Sequence, residues 1–138
     1  MKPTKDFNGR SRDISPMPSN QETNSSQHSS LVIVNDVTRA WNELDAELII
    51  KHLSEDFRYD SQWVFNYMLY DEYVEYLRRK FQVIKNNDTI IKAETVEDNH
   101  LGGWMTKIIQ YDGDIEMPAY YRVQIDKNKI IKGDLCMF

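Results

Sequence analysis

The chain has 138 residues, of which 41% are hydrophobic and 12% aromatic, which suits one globular domain with its own core. It carries 22 acidic and 17 basic residues, and residues 31–138 hold a net charge of −6. Because affinity for phosphates comes from a basic face, this balance argues against nucleic-acid binding.

Residues 1–30 differ in composition from the rest of the chain. They are mostly Ser, Asn, Gln, Thr and Pro, with Phe7 and Ile14 as isolated apolar residues. Such a segment buries too little apolar surface to offset its chain entropy. The sequence therefore predicts a disordered tail over residues 1–30 and a folded domain over residues 31–138.

Two helices are predicted where the domain begins. An apolar stripe at helical spacing predicts a first helix from Leu31; it consists of Val34, Val37, Trp41 and Leu44. Asp45 is suited to cap a second, shorter helix. The apolar side of that helix is predicted to hold Leu48, Ile49 and Leu53.

Residues 57–65 alternate between two kinds of side chain, as a strand does. One face would carry Phe57, Tyr59, Ser61, Trp63 and Phe65, and the other Arg58, Asp60, Gln62 and Val64. We expect the aromatic face to point inward. Asp60 then faces outward, as a solvated carboxylate near Arg58 or Lys132.

A third helix and four strands complete the chain. The helix is predicted from Asp71 to Asn86, and its basic cluster at residues 78–80 is interpreted as cations near a helix carboxyl end. The strands are predicted at residues 89–98, 104–111, 120–125 and 129–137, the last two joined by a hairpin at residues 126–128. Helices first and consecutive strands last indicate an α+β fold with an antiparallel sheet.

Several segments carry a resemblance to a known fold. They are Ala40-Trp41-Asn42 with Asp45, the run Asp56-Phe57-Arg58-Tyr59-Asp60-Ser61, the helix segment Tyr73-Val74-Glu75-Tyr76-Leu77, and the closing residues 129–138. Together with the element order, they resemble the nuclear transport factor 2-like superfamily, which includes ketosteroid isomerases, scytalone dehydratase and SnoaL-like cyclases. The resemblance implies three helices packed in the concave face of a strongly bent mixed or antiparallel sheet.

The resemblance also raises the question of catalysis. In the isomerases of this superfamily, a carboxylate on the first strand acts as general base. The matching inward position here is Ser61, with Asp60 one residue away, and a shift of one residue moves a side chain to the opposite face. A serine without an adjacent base is not an activated nucleophile. The catalytic carboxylate is therefore predicted to be missing.

The candidate site is mainly aromatic. We expect an apolar pocket of at least about 300 Å³ with polar tips in its wall. The predicted lining residues are Trp41, Tyr59, Ser61, Trp63, Trp104 and Tyr121. Core packing is the alternative interpretation of these aromatic residues, and it is favoured for Trp41 because that residue lies on a helical stripe.

Two functions remain open at this point. The first is a non-catalytic small-molecule-binding or interaction module, for an apolar or aromatic molecule. The second is a cofactor-independent dehydratase, isomerase or cyclase, with Tyr59 and His100 as catalytic acid–base groups. His100 has the alternative interpretation of a solvent-facing histidine in a turn. Neither function requires a cofactor, and no residues have the spacing of a metal site.

Partners and location complete the expectations. The single cysteine, Cys136, excludes an intrachain disulfide and is expected to be a small buried hydrophobe. The sequence has neither a run of about 20 apolar residues nor a signal-peptide core. We therefore expect a cytoplasmic protein with no membrane contact. A homodimer through the sheet is predicted from the fold.

Overall fold

The computed structural model describes residues 18–61 and 66–136, with side chains from residue 30 onward. Within these residues the protein is an α+β fold of three helices and one sheet of six strands. The helices are α1 (Pro18–Glu43), α2 (Glu47–Ile50) and α3 (Tyr70–Asn86). The strands are β1 (Leu53–Ser61), β2 (Met68–Leu69), β3 (Ile90–Glu97), β4 (Trp104–Asp112), β5 (Ile115–Asp126) and β6 (Lys129–Cys136).

Helix α1 starts earlier than the composition predicted. Its described part runs from Pro18, so residues 18–30 of the predicted tail belong to the helix in the structure. Once the packed part of a helix has formed, adding each further residue costs little. Residues 1–17 of the predicted tail lie outside the described residues.

The second helix is shorter than predicted, and β1 takes its last residues. Leu53 starts the strand and pairs in parallel with Ile130 of β6, while the N–H of Ile130 donates to the carbonyl of His52 at 2.8 Å. Asp45 lies two residues before Glu47, the first residue of α2, and its carboxylate accepts the N–H of Glu47 at 3.1 Å. The prediction that Leu53 belongs to α2 is therefore wrong, because pairing with β6 makes its backbone extended.

The strands form one mixed sheet in the order β2-β1-β6-β5-β4-β3. The pair β1–β6 is parallel, and the other pairs are antiparallel. The hairpin predicted after β5 is confirmed: Lys127 and Asn128 have φ of 51° and 63°, the positive values that a tight two-residue turn requires.

Strand β5 is longer than predicted, because it begins at Ile115 instead of Tyr120. Its early part pairs with β4, including Pro118 opposite Ile109. Among the described residues, pairing with β6 runs from Tyr120 to Asp126.

Helices α1 and α3 cover one face of the sheet, which we call the inner face. The buried core holds Val37 and Trp41 from α1, Leu77 and Phe81 from α3, and Ile108 from β4. A polar contact also fixes α1 on the sheet, because the hydroxyl of Thr38 lies 2.8 Å from that of Thr95 and 2.9 Å from that of Thr106. The face turned away from the helices is the outer face.

Candidate ligand cavity

One half of the inner face is filled by aromatic rings, which we call the tyrosine cluster: Phe57, Tyr59, Tyr73 and Tyr121. The ring centroids of Tyr59 and Tyr73 are 4.5 Å apart. The hydroxyls of Tyr73 and Tyr121 form a hydrogen bond of 2.6 Å. Each ring is at most 2% exposed, so the cluster is closed to solvent.

Burial sets the chemistry of these hydroxyls. It raises the pKa of Tyr59, Tyr73 and Tyr121 well above the usual value of 10.0 for a phenol. A hydrogen bond from Ser61 opposes this effect on the pKa of Tyr59, but only in part. All three are therefore neutral hydroxyls at physiological pH.

Gly133 of β6 makes room for the tyrosine cluster. A Cβ atom at this position would lie 3.0 Å from the Tyr121 hydroxyl oxygen and 3.3 Å from Cζ of Phe57. The absence of a side chain on the strand behind the rings is thus what lets them pack against the sheet.

The other half of the inner face is hollow. A cavity of about 250 Å³ lies between α1, α3 and strands β3 to β6. Its apolar wall includes Ile91, Ile108, Met117, Ala119 and Leu135. We call this space the inner cavity. It falls short of the expected 300 Å³, which limits any occupant to a small molecule.

Trp41 separates the two halves of the inner face. Its ring lies 6.4 Å from that of Tyr121 and 4.7 Å from that of Phe81, and it also lines the inner cavity. The side chain is 3% exposed, yet its indole Nε1–H has no acceptor among the described residues. A buried donor without a partner costs about 1–3 kcal/mol.

Two polar side chains, Lys80 and Gln110, mark the mouth of the inner cavity. Both line the cavity and also a more open depression of about 410 Å³ on the surface beside it. The depression includes Arg79 and Tyr76 as well. The sequence pattern assigned residues 78–80 only the role of cations near the carboxyl end of α3, so this role of Lys80 was missed. The helix ends at Asn86 as predicted, and Lys80 lies six residues before that end.

The predicted pocket residues are distributed over several places. Trp41 lines the inner cavity, whereas Tyr59 and Tyr121 belong to the closed tyrosine cluster. Trp104 is 37% exposed at the start of β4 and pairs with Glu97. Trp63 lies outside the described residues.

The first strand has the predicted register at Asp60 and Ser61. Asp60 lies on the outer face, where its carboxylate accepts a 3.1 Å bond from Nε of Arg58. Ser61 shares the inner face with Tyr59 and is hydrogen-bonded to it. Ser61 thus occupies the inward position, and it contacts a neutral tyrosine there.

His100 and Tyr59 lie on opposite faces of the sheet. His100 borders a groove that Lys107 and Tyr120 also line. Thr106 and Tyr121, the chain neighbours of those two residues, point inward, so the groove lies on the outer face. The structure therefore does not bring His100 to Tyr59 in a single site.

The loop that carries His100 is held by Asp98. One carboxylate oxygen of Asp98 accepts the N–H groups of His100 and Leu101 at 2.9 and 3.0 Å. The other accepts Nε of Arg122 at 2.8 Å. Burial alone would raise the pKa of Asp98, but these donors outweigh it and lower the pKa. This organisation fits the interpretation of His100 as part of a structured turn.

The described residues contain no group of three or more His, Cys, Asp or Glu side chains able to hold a metal ion. Cys136 is only partly buried, and burial raises the pKa of its thiol. Among the helices described, none is long and apolar enough to cross a membrane.

Comparison with solved structures gives the class of fold. The chain is similar to a SnoaL-like protein of unknown function from Burkholderia thailandensis, with TM-score 0.58 and 15% identity over 81% of this chain and 96% of that one. It is also similar to a nuclear transport factor 2-like protein of unknown function from Cytophaga hutchinsonii, with TM-score 0.54 and 12% identity over 79% and 89%. An LEH-like epoxide hydrolase from M. tuberculosis matches with TM-score 0.54 and 12% identity over 80% and 84%.

These similarities, together with the curved sheet over three helices, show that the chain has the nuclear transport factor 2-like fold. No protein-family model matches the sequence, and no curated protein matches it either. Identities this low establish the fold alone, so the function has to be argued from the site.

Proposed function

We propose that the protein is a non-catalytic binding module for a small, mainly apolar molecule held in the inner cavity. The observation that carries the proposal is the inner cavity of about 250 Å³ with its mainly apolar wall. Trp41 contributes to that wall, and its indole N–H has no acceptor among the described residues. Apolar walls with one or two fixed polar groups are typical of small-molecule sites.

The cavity wall supports binding more than catalysis. Among the described residues, its lining includes no carboxylate, histidine or tyrosine. Tyr73 and Tyr121 are buried in the tyrosine cluster, where burial raises their pKa. General acid–base catalysis at neutral pH works best with groups whose pKa lies near that pH.

The volume of the inner cavity limits its occupant. A dry cavity of about 150 Å³ takes up benzene, so by proportion the 250 Å³ available here fits about ten non-hydrogen atoms. The fitting ligand is a substituted single ring or a compact branched chain, with an acceptor oxygen for Trp41.

Binding is tested with acetophenone and α-methylstyrene. The two molecules have nearly the same shape, but only acetophenone has an acceptor oxygen. The indole N–H signals are followed by nuclear magnetic resonance, with that of Trp41 assigned from Trp41→Phe. We expect acetophenone to move this signal downfield, and to bind about fivefold more weakly to Trp41→Phe, the value of one hydrogen bond. Binding of α-methylstyrene should not change in this variant.

Trp104→Phe is the matched control, because Trp104 does not line the cavity, and it should bind both probes as the unmodified protein does. If neither probe binds at millimolar concentration, the proposed function is wrong. Chemical change of a bound ligand, detected by chromatography after incubation, would contradict the non-catalytic part.

A cofactor-independent enzyme is the second candidate. Two observations favour it: the 2.6 Å hydrogen bond between Tyr73 and Tyr121 beside Trp41, and the similarity in fold to an LEH-like epoxide hydrolase. In that case, Tyr59→Phe or His100→Ala abolishes turnover and leaves ligand affinity mostly intact, because these groups would act in the transition state. Turnover that survives both changes would exclude these two catalytic residues.

We also propose that the protein forms a homodimer through the outer face and acts in the cytoplasm without nucleic-acid or membrane partners. Partly exposed apolar side chains on that face support the dimer, among them Ile109 and Tyr120. Light scattering at micromolar concentration should give twice the mass of the chain. A monomeric mass would contradict the dimer.

A further inference from the structure

The mouth of the inner cavity has a charge opposite to that of the chain as a whole. The whole chain has a net charge of −5. Among the described residues, however, those lining the inner cavity and the adjoining depression include two cations, Lys80 and Arg79, and no carboxylate. The depression and the cavity share Lys80, so a positive charge lies at their junction.

The two cations differ in their availability to a ligand. The guanidinium of Arg79 lies 3.8 Å from the carboxylate of Glu75 on the same helix, and both side chains are well exposed. Lys80 forms no ion pair with the residues that the structure describes. The ammonium Nζ of Lys80 lies 5.7 Å from the ring centroid of Tyr76. Lys80 is also partly buried, so its charge is less screened than that of a free surface lysine.

The position of Lys80 next to an apolar cavity is informative. A lysine keeps its ammonium group at the edge of apolar surface while its methylene stem packs along it. Gln110, from β4 on the opposite wall, supplies an amide at the same junction. Amide N–H and ammonium groups together bind a carboxylate with charge-assisted hydrogen bonds.

We infer that the inner cavity selects amphipathic monoanions: carboxylates whose apolar body fills the cavity and whose head group binds Lys80 and Gln110 at the mouth. This inference rests on the proposed binding function and adds the chemical class of the ligand. The indole N–H of Trp41 then donates a hydrogen bond to an acceptor oxygen within the body of the ligand, such as that of a ketone or an ether. The combination defines an oxygen-substituted aromatic or branched aliphatic acid of about ten non-hydrogen atoms.

The test compares 3-phenylpropionate with 3-phenylpropionamide, which differ in head-group charge and little in shape. Dissociation constants are measured by calorimetry at neutral pH on the full chain. We expect the acid to bind about tenfold more tightly than the amide. In Lys80→Met this preference should disappear, because the acid loses its charge-assisted hydrogen bond and the amide loses only a weaker one.

The matched control is Lys85→Met, which removes a charge from the same helix at a position that lines neither the inner cavity nor the depression. It should retain the preference for the acid. A circular dichroism spectrum like that of the unmodified protein shows that each variant is folded. Raising the salt concentration from 50 to 500 mM should reduce the preference in the unmodified protein.

The outcomes separate the two proposals. Equal binding of acid and amide to the unmodified protein overturns the anion inference and leaves the binding function standing. Equal loss of acid binding in Lys80→Met and Lys85→Met also overturns it, because the effect would then come from net charge. If these probes and acetophenone all fail to bind, the binding function itself is wrong.

Discussion

The two halves of the inner face are built from the same sheet, yet one is filled and the other is hollow. In the tyrosine cluster, large rings meet across β1, α3 and β5, and Gly133 lets them reach the sheet. In the inner cavity, the same strands β5 and β6 present Ala119 and Leu135. A space of about 250 Å³ remains in this half.

The two halves also treat their polar atoms differently. Tyr73 and Tyr121 satisfy each other at 2.6 Å, and Tyr59 is hydrogen-bonded to Ser61. Trp41 at the boundary leaves its N–H without an acceptor among the described residues. The filled half therefore maintains the fold, and the hollow half leaves space for a ligand.

The largest expected effect is loss of stability at alkaline pH, caused by the tyrosine cluster. The pKa values of its three phenols are raised above 10.0 in the folded protein. Above pH 10 the unfolded chain loses these protons and the folded one keeps them, so stability falls as pH rises. Between pH 10 and 11 the free energy of unfolding should fall by about 3 kcal/mol, about 1 for each phenol, because half of the phenols in the unfolded chain are already ionised at pH 10. Urea unfolding followed by circular dichroism measures this.

The control is the double variant Tyr73→Phe with Tyr121→Phe, which removes two of the three phenols. About two thirds of the decrease attributed to the cluster should disappear. An unchanged pH slope would show that the cluster does not set the alkaline limit.

A methyl group added to the filled half should destabilise the protein. In Gly133→Ala the new Cβ would lie 3.0 Å from the Tyr121 hydroxyl oxygen. The ring has to shift against its partner Tyr73, and overpacking of this kind costs about 1–3 kcal/mol. Chemical denaturation at pH 7 measures the change. A variant as stable as the original would mean that the rings are loosely packed.

Removing one hydroxyl of the buried pair should cost slightly less. Tyr121→Phe leaves the hydroxyl of Tyr73 buried with no partner at that position, and we expect a loss of about 1–2 kcal/mol. Because the double variant with Tyr73→Phe removes both hydroxyls, it should recover most of this loss. If the two single losses simply add, the hydrogen bond does not couple the two residues.

The smallest effect on stability is expected in the hollow half. Ala119→Val adds two methyl groups next to the inner cavity, where there is room for them, so the free energy of unfolding should change by less than about 0.5 kcal/mol. Binding of acetophenone should nevertheless weaken at least tenfold, because the cavity becomes smaller. A loss of stability as large as that of Gly133→Ala would remove the distinction between the two halves.

Much of the fold follows from local patterns in the sequence. The alternation around Phe57 and Tyr59 correctly predicted which side chains of β1 face inward, because strand side chains alternate strictly. The helical stripe correctly placed Trp41 on the buried side of α1. The start of β1 at Leu53 was missed, because it depends on pairing with β6, which is remote in sequence.

The candidate site was predicted less well, for a physical reason. Aromatic residues were expected to line a pocket, but Tyr59 and Tyr121 pack against each other and against Tyr73. Lys80 and Gln110 gave no local signal, since one belongs to a basic run and the other is a single amide in a strand. Their convergence depends on the distance between α3 and β4, which no local pattern encodes.

The sequence by itself determined the α+β class and the inward face of the first strand, which includes Ser61. These follow from side-chain periodicity and from the order of elements along the chain. Only the tertiary structure decided which inner-face residues fill space and which leave it empty. That outcome depends on the combined volumes of side chains from α1, α3 and four strands, and so it exists only once they are packed together.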